Sequence, residues 1–261
     1  MAKNKENNLK IPKDTRNIIN RNKIDNFNLF LNKYALFDAN KGYKIQNQKI
    51  YKDFFKKNWN KYKEFINNYY YNIKKLNLQF SKVLNFKLSY RLLIGAEESI
   101  YETSLRLHHI YGIPYIPASA IKGVIRNYYI NKYYEEELQT MSIEQLENNL
   151  LKDDDFIYYF GTQKKEGEII FFDAFPVTYP KLQKDIINCH YSDYYTKDKP
   201  PTDTQKPNPF IFLTIKDCEF DFYIASQKDI DNIIIELMQE AFTNFGIGAK
   251  TAVGYGYFTK E

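Results

Sequence analysis

From about residue 48 to 76, apolar side chains recur three and four positions apart: Ile50, Phe54, Phe55, Trp59, Tyr62, Phe65, Ile66, Tyr69, Tyr70 and Ile73, with lysines between them. This spacing predicts a long amphipathic helix. Its apolar face is expected to pack on the rest of the protein rather than form an aromatic platform for RNA. The period changes at Phe80, where Phe80, Leu84, Phe86, Leu88 and Tyr90 fall on alternate positions among Lys82, Lys87 and Arg91. That alternation predicts a first strand. After a loop holding Gly95, Gly112, Pro114 and Pro117, helical spacing returns over 119–134, with Ser119 placed to cap the crossover helix. An acidic, helical insertion (135–160) follows, and the run from Glu168 to Phe175 supplies a second strand that Pro176 ends. Strands over 210–215 and 218–225 flank Lys216-Asp217 as a hairpin. A helix over 229–245 stops at Gly246, and 255–259 gives the last strand.

Without the insertions, this order is strand, helix, strand, strand, helix, strand. It predicts an α+β, ferredoxin-like fold of the kind also used by RNA-recognition modules (RRM-like), with helical insertions and an N-terminal helical extension. The domains expected are a basic arm and amphipathic helix over 1–76, followed by the ferredoxin-like domain over 77–261. Residues 1–25 lack apolar periodicity and read as a loosely held arm. Residues 188–209, with Pro200, Pro201, Pro207 and Pro209, read as a long loop.

At 44% hydrophobic over 261 residues the chain can bury a sizeable core. Tyr and Phe number 24 and 20 against a single Trp, an excess that biased base composition also produces. The net charge of +5 is a weak pointer to a polyanion, but its distribution says more. Residues 1–75 hold 18 basic residues against 6 acidic, a balance of +12, and the remainder 19 against 26, a balance of −7. A basic segment concentrates polyanions around it, though the same composition also keeps a surface soluble. Cys189 and Cys218 form no C-x-x-C, and no signal peptide or apolar run of transmembrane length is evident, which predicts a cytoplasmic protein without membrane contact.

Two stretches carry the candidate chemistry. In Phe245-Gly-Ile-Gly-Ala-Lys-Thr-Ala-Val-Gly-Tyr-Gly-Tyr257, four glycines (Gly246, Gly248, Gly254, Gly256) surround Lys250 and Thr251. Glycine lets backbone N–H groups approach a phosphate, and the lysine and hydroxyl add a charge and a donor. A nucleotide-binding P-loop is excluded, because Ala249 precedes the lysine and a helix enters where a strand should. Glycines there also suit a tight helix-to-strand connection without a ligand. The second stretch, Tyr111-Gly-Ile-Pro-Tyr-Ile-Pro-Ala-Ser-Ala-Ile-Lys-Gly-Val-Ile-Arg126, runs a stiff loop into a helix N-terminus, which attracts anions. Lys122 and Arg126 lie one turn apart on a shared face. The RNA-binding residues expected are therefore Ser119, Lys122, Arg126, Gly246, Gly248, Lys250, Thr251 and Gly254, with His190 from the long loop.

The segment Ile116-Pro-Ala-Ser-Ala-Ile-Lys-Gly123, paired with Gly246 to Gly256, resembles the signature of the RAMP superfamily of CRISPR proteins. Ile170-Phe-Phe-Asp-Ala-Phe-Pro176 and His190-Tyr-Ser-Asp-Tyr-Tyr195 are similar to it as well. The resemblance runs from about residue 80 to 258; Ala118 stands where the family usually has glycine. It implies a type III-B (Cmr) effector complex in which RAMP subunits stack along a CRISPR RNA and present it to complementary target RNA. The partners implied are that CRISPR RNA, target RNA and other Cmr subunits, with no cofactor and no catalytic role for this chain.

The rival reading is a metal-independent RAMP endoribonuclease that processes CRISPR RNA, because His108, His109 and His190 offer acid–base groups. Adjacent His108 and His109 are expected to point to opposite faces of an extended segment, and His190 stands alone. Cys189 and His190 are too close in sequence for a chelating pair. Asp173 reads as a hydrogen-bonding rather than a catalytic carboxylate. A third reading is a scaffold that contacts only protein, through the amphipathic helix and the tyrosine-rich loop.

Overall fold

The computed structural model describes residues 9–38, 42–43, 45, 48–76, 78, 80–95, 105–189, 200 and 208–260. A short helix α1 (Lys13–Ile18), a 3-10 turn (Arg21–Lys23), a π-helical turn (Leu29–Lys33) and a two-stranded ribbon of β1 (Phe37–Asp38) and β2 (Gly42–Tyr43) precede α2 (Gln48–Lys75). Strands β3 (Phe80–Leu88) and β4 (Arg91–Leu92) lead to α3 (Ala118–Tyr133) and the three short helices α4 (Glu135–Thr140), α5 (Ile143–Leu150) and α6 (Asp154–Phe160). Strands β5 (Ile169–Phe171), β6 (Phe175–Pro176), β7 (Lys181–Cys189), β8 (Asn208–Lys216) and β9 (Glu219–Ser226) follow, then α7 (Asn232–Asn244), a 3-10 turn (Thr251–Val253) and β10 (Phe258–Thr259).

In β3 the buried Leu84, Phe86 and Leu88 alternate with exposed Val83, Asn85 and Lys87, as a half-covered strand requires. The main sheet has the order β10-β3-β9-β5, each neighbour antiparallel, with β6 also on β9. This is the order produced when the crossover units β3–α3–β5 and β9–α7–β10 interleave, and it makes the α+β fold ferredoxin-like. On one face Phe86, Phe222 and Phe258 close around Phe242 of α7, with ring centroids 4.7–6.1 Å apart. All four are fully buried, and each contributes roughly 1.5–3 kcal/mol of transfer free energy. On the other face Tyr223 stacks on Tyr70 of α2 at 4.4 Å, and the Tyr70 hydroxyl donates to the Asp221 carbonyl (3.0 Å). The amphipathic helix thus packs on the face that an RNA-recognition module leaves open, and its buried aromatics are core.

Several sequence expectations change. Lys216-Asp217 does turn the chain, with Asp217 at φ 47°, but β8 and β9 are not a hairpin. β8 pairs with β7 and β4 in a second, three-stranded sheet, while β9 joins the main one. The first strand likewise stops at Leu88, and Arg91 belongs to the second sheet. The strand expected over 168–175 is broken: Phe171 faces Ile224 and Phe175 faces Asp221, so four steps oppose three and one residue bulges. Pro176 remains paired beyond that bulge. The last strand begins at Phe258, Tyr255 forming only an isolated bridge to Arg91. The ends of the expected 188–209 loop are strand, Cys189 facing Asn208, and of the residues between only Pro200 is described.

Residues 9–25, expected to be loosely held, are folded. Leu9 is buried and bridges Leu36, and the polar edge of α2 supplies partners the segment lacks. Lys57 donates to the Asn22 carbonyl (2.7 Å), Tyr62 to that of Asp25 (2.5 Å), and Lys61 pairs with the Asp25 carboxylate.

Candidate nucleic-acid interface

Helix α7 ends where Phe245 and Gly246 both return their N–H groups to the Ala241 carbonyl (3.0 and 3.1 Å). The loop beyond lies along β4 and its own return strand. Ile247 N–H donates to Gly256 O (2.8 Å), Ala249 N–H to Leu93 O (2.8 Å) and Gly256 N–H to Arg91 O (2.6 Å). Alternate N–H groups therefore point inward. Those of Gly248 and Lys250 donate to nothing among the described residues, and Gly248 is exposed. Lys250 adopts the left-handed region (φ 64°), and its ammonium sits 5.8 Å from the Phe212 ring of β8. Gly256, at φ 77°, has no room for a side chain, since a Cβ would stand 2.0 Å from the Ile247 carbonyl oxygen. Gly254, at φ 92°, faces open space.

A carboxylate ties this loop to the second sheet. Asp185 of β7 accepts from both the Tyr255 hydroxyl and the Arg91 guanidinium. Burial raises the Asp185 pKa, but bonds from Tyr255, the Ile186 N–H and Arg91 outweigh it, and the net shift is downward. The Tyr255 hydroxyl is pushed up to about 12, chiefly by burial and then by its bond to the carboxylate.

Helices α3 and α7 run antiparallel. Lys132 pairs with Glu240 (2.5 Å), and one turn earlier Tyr128 meets Asn244 (3.3 Å) and Phe245 (5.1 Å between rings). Moving toward the start of α3 therefore moves beyond the end of α7, and Lys122 and the glycine-rich loop share one end of the helical layer. Lys122 has no ion pair among the described residues. The helix does not offer a vacant N-terminus. Asp173, in the β5–β6 bulge, accepts from Ala118 N–H (2.7 Å), so the cap comes from a distant strand while Ser119 stays exposed. Arg126 is committed within the molecule, to Glu147 of α5 (2.7 Å) and the Phe156 ring (5.1 Å).

The histidines differ from expectation. A turn closed by Gly112 N–H on His108 O (2.6 Å) stacks His108 on His109, with centroids 5.2 Å apart and planes 14° from parallel, instead of splaying them. His108 packs against Phe65, Tyr111 and Phe175, and its Nδ1 accepts from Tyr111 N–H (3.4 Å). Burial and then the neighbouring His109 lower its pKa, against a smaller upward pull from Asp173. His190 lies outside the described residues. No group of three metal-ligating side chains occurs among the described residues, and no described helix is long and apolar enough to cross a membrane. Cys218 is buried, and its thiol is pushed up to about 12, mainly by that burial.

The family model of the RAMP superfamily matches residues 85–259, which takes in β4, α3, the bulge carrying Asp173 and the whole glycine-rich loop. The chain belongs to the RAMP superfamily. Among RAMP proteins it is similar to the Cmr6 subunit of the CRISPR Cmr system of Pyrococcus furiosus, at 36% identity over 66% of this chain and 65% of that protein. It is also similar to the Cmr6 subunit of Saccharolobus solfataricus, at 29% identity over 75% of this chain and 64% of that protein. The chain thus spans about two thirds of the length of these curated relatives. Its fold matches a chain in the cryo-EM structure of the type III-B Cmr-beta bound to cognate target RNA, with a TM-score of 0.59 at 22% identity over 95% of this chain and 73% of that one.

Of the expected residues, the RAMP fold gathers Gly246, Gly248, Lys250, Thr251 and Gly254 in one loop and sets Ser119 and Lys122 at the same end. Arg126 is engaged by Glu147 and the Phe156 ring. Sequence reasoning missed the Arg91–Asp185–Tyr255 contact that holds the loop to β7. Its members are far apart in the chain, and no local pattern marks them.

Proposed function

We propose that this chain is a non-catalytic RNA-binding subunit of a type III-B CRISPR (Cmr) effector complex. It holds the 3′ part of the CRISPR RNA and the duplex with target RNA for antiviral silencing in the cytoplasm, beside other Cmr subunits. The observation that carries this reading is the glycine-rich loop. Its inward N–H groups are used up on β4 and Gly256, its outward ones are free among the described residues, and Lys250 and Lys122 stand unpaired at the same end. Backbone donors and point charges recognise phosphates without reading bases, and base pairing is then left to carry specificity. Ser119, Gly246, Gly248, Thr251 and Gly254 shape this surface. The two cations supply its charge. The likeness to the two Cmr6 subunits supports the assembly.

A role without catalysis is supported by His108, whose ring is stacked among aromatics with one nitrogen engaged and its protonation disfavoured by burial. The test is RNA affinity by mobility shift for Lys122→Ala/Lys250→Ala, with Arg126→Ala as the control. Replacing both lysines should weaken binding to any RNA sequence alike and flatten the slope of log K against log salt by about 1.4 units on single strands. Arg126→Ala should leave both unchanged. Unaltered binding in the double variant refutes the loop as the RNA site. Metal-independent cutting of the same RNA, lost in His108→Ala, would instead establish the endoribonuclease.

A further inference from the structure

The loop accounts for only part of the basic charge, and the first 75 residues alone carry a net balance of +12. Helix α2 carries eight lysines against two acids, Asp53 and Glu64. Six of these lysines fall into two groups; of the other two, Lys75 lies over the Tyr71 ring and Lys49 is engaged as well. Lys57 and Lys61 are spent on the N-terminal arm, bound to Asn22 and Asp25. Lys52, Lys56, Lys63 and Lys74 are exposed and make no ion pair or hydrogen bond among the described residues. At 3.6 residues per turn these four fall within about 40° of one another around the helix, a single row about 33 Å long. The two acids lie roughly 60–80° to one side; half-buried Trp59 and buried Tyr70 fall in or beside the row itself, so Lys52, Lys56 and Lys63 form its continuous part and Lys74 stands beyond Tyr70.

Resting on the reading that this chain binds RNA, we infer that the exposed row Lys52, Lys56, Lys63 and Lys74 is a second contact track for the RNA phosphate backbone, separate from the glycine-rich loop. Three arguments carry it. Lys52 and Lys56, one turn apart, repel each other at a cost of about 0.2–0.5 kcal/mol in an isolated helix, and the neighbouring Asp53 makes no ion pair with either among the described residues. Lys52, Lys56 and Lys63 are spaced by about 6 and 10 Å along the axis, close to the screening length of about 8 Å at physiological salt. Their fields therefore reinforce one another over a strip that a flexible polyanion can follow. The adjoining face of α2 is locked into the core by Tyr51, Phe55, Tyr62 and Ile66, so the backbone that carries the row is already fixed.

Filter binding of the full chain to a fluorescein-labelled single-stranded RNA across a KCl series tests this. Wild type is compared with Lys52→Ala/Lys56→Ala/Lys63→Ala and, separately, with Lys74→Ala. Alanine at exposed helical positions preserves the helix, which an unchanged circular dichroism melt verifies. The triple variant is expected to flatten the slope of log K against log salt by about 2 units and to lose at least about tenfold in affinity at low salt. Lys74→Ala, standing apart, should change the slope by less than about one unit. An unchanged slope in the triple variant overturns the track, and so does a wild-type chain that fails to bind this RNA at low salt. A triple variant that binds RNA normally but no longer co-purifies with a protein partner also overturns it, assigning the row to an acidic protein surface. Lys122→Ala/Lys250→Ala in the same series separates the two claims: a loss confined to that variant sinks only the track, and a loss confined to the triple variant sinks only the loop.

Discussion

Glycines within a few residues of each other in the RAMP loop have different physical roles. Gly256 is required by backbone packing, because its positive φ and the Ile247 carbonyl beside it exclude any side chain. Gly254 has the same sign of φ and nothing near it, so its backbone angle calls for glycine but packing does not. Gly256→Ala is therefore expected to destabilise the chain by about 3 kcal/mol or more, and Gly254→Ala by only about 1 kcal/mol, in urea unfolding. Equal losses would contradict this division. Residue types alone suggested phosphate binding for Gly246, Gly248 and Gly254. Which ones are structural became visible only once β4 lay against the loop, a partner some 150 positions away in sequence. Separations of 55 and 21 positions likewise concealed Asp173 as the cap of α3 and Glu147 as the partner of Arg126.

At the scale of elements, the acidic insertion α4–α6 is fastened to α3 by the Arg126–Glu147 pair and by a second carboxylate, Asp153. Asp153 caps α6 by accepting from Phe156 N–H (3.0 Å) and accepts the hydroxyls of Tyr129 (2.7 Å) and Tyr134 (2.8 Å). Burial would raise its pKa, yet these bonds prevail and hold it below the usual carboxylate value of 3.8. A carboxylate depressed on folding stabilises the fold above its unfolded pKa, and that contribution fades as pH falls through the folded value. Stability should thus hold down to about pH 4 and decline below it. Asp153→Asn should be less stable than wild type at neutral pH and lose less on acidification, as read from urea midpoints across pH. Identical pH profiles would remove Asp153 from the account. Elements with one clean buried face were legible: α2 and β3 fall where apolar periodicity puts them. Strand β7 was not, because only Leu182 of its even-numbered positions is deeply buried while Ile186 is exposed and Lys184 reaches the Ile45 carbonyl (2.9 Å). The turn at Asp217 was legible as a turn, but alternation says nothing about which sheet receives the next strand.

For the whole molecule, the uneven charge along the chain becomes an arrangement in space. The acidic insertion is drawn in by its own contacts to α3, and the basic helix α2 buries Tyr70 against Tyr223 of β9 and Phe54 and Phe55 against Phe27 of the N-terminal segment, while its lysine row stays outside. With α2 on that sheet face, Tyr223 lies buried under Tyr70 and is not open to base stacking of the RNA-recognition type. The central claim, membership of a guide-RNA assembly, is tested most directly by purifying the tagged chain from its native host under gentle conditions and identifying the proteins and RNAs that come with it. The account predicts other Cmr subunits together with short guide RNAs that share a common 5′ sequence. Recovery of the chain alone, without Cmr proteins or guide RNA, would contradict it.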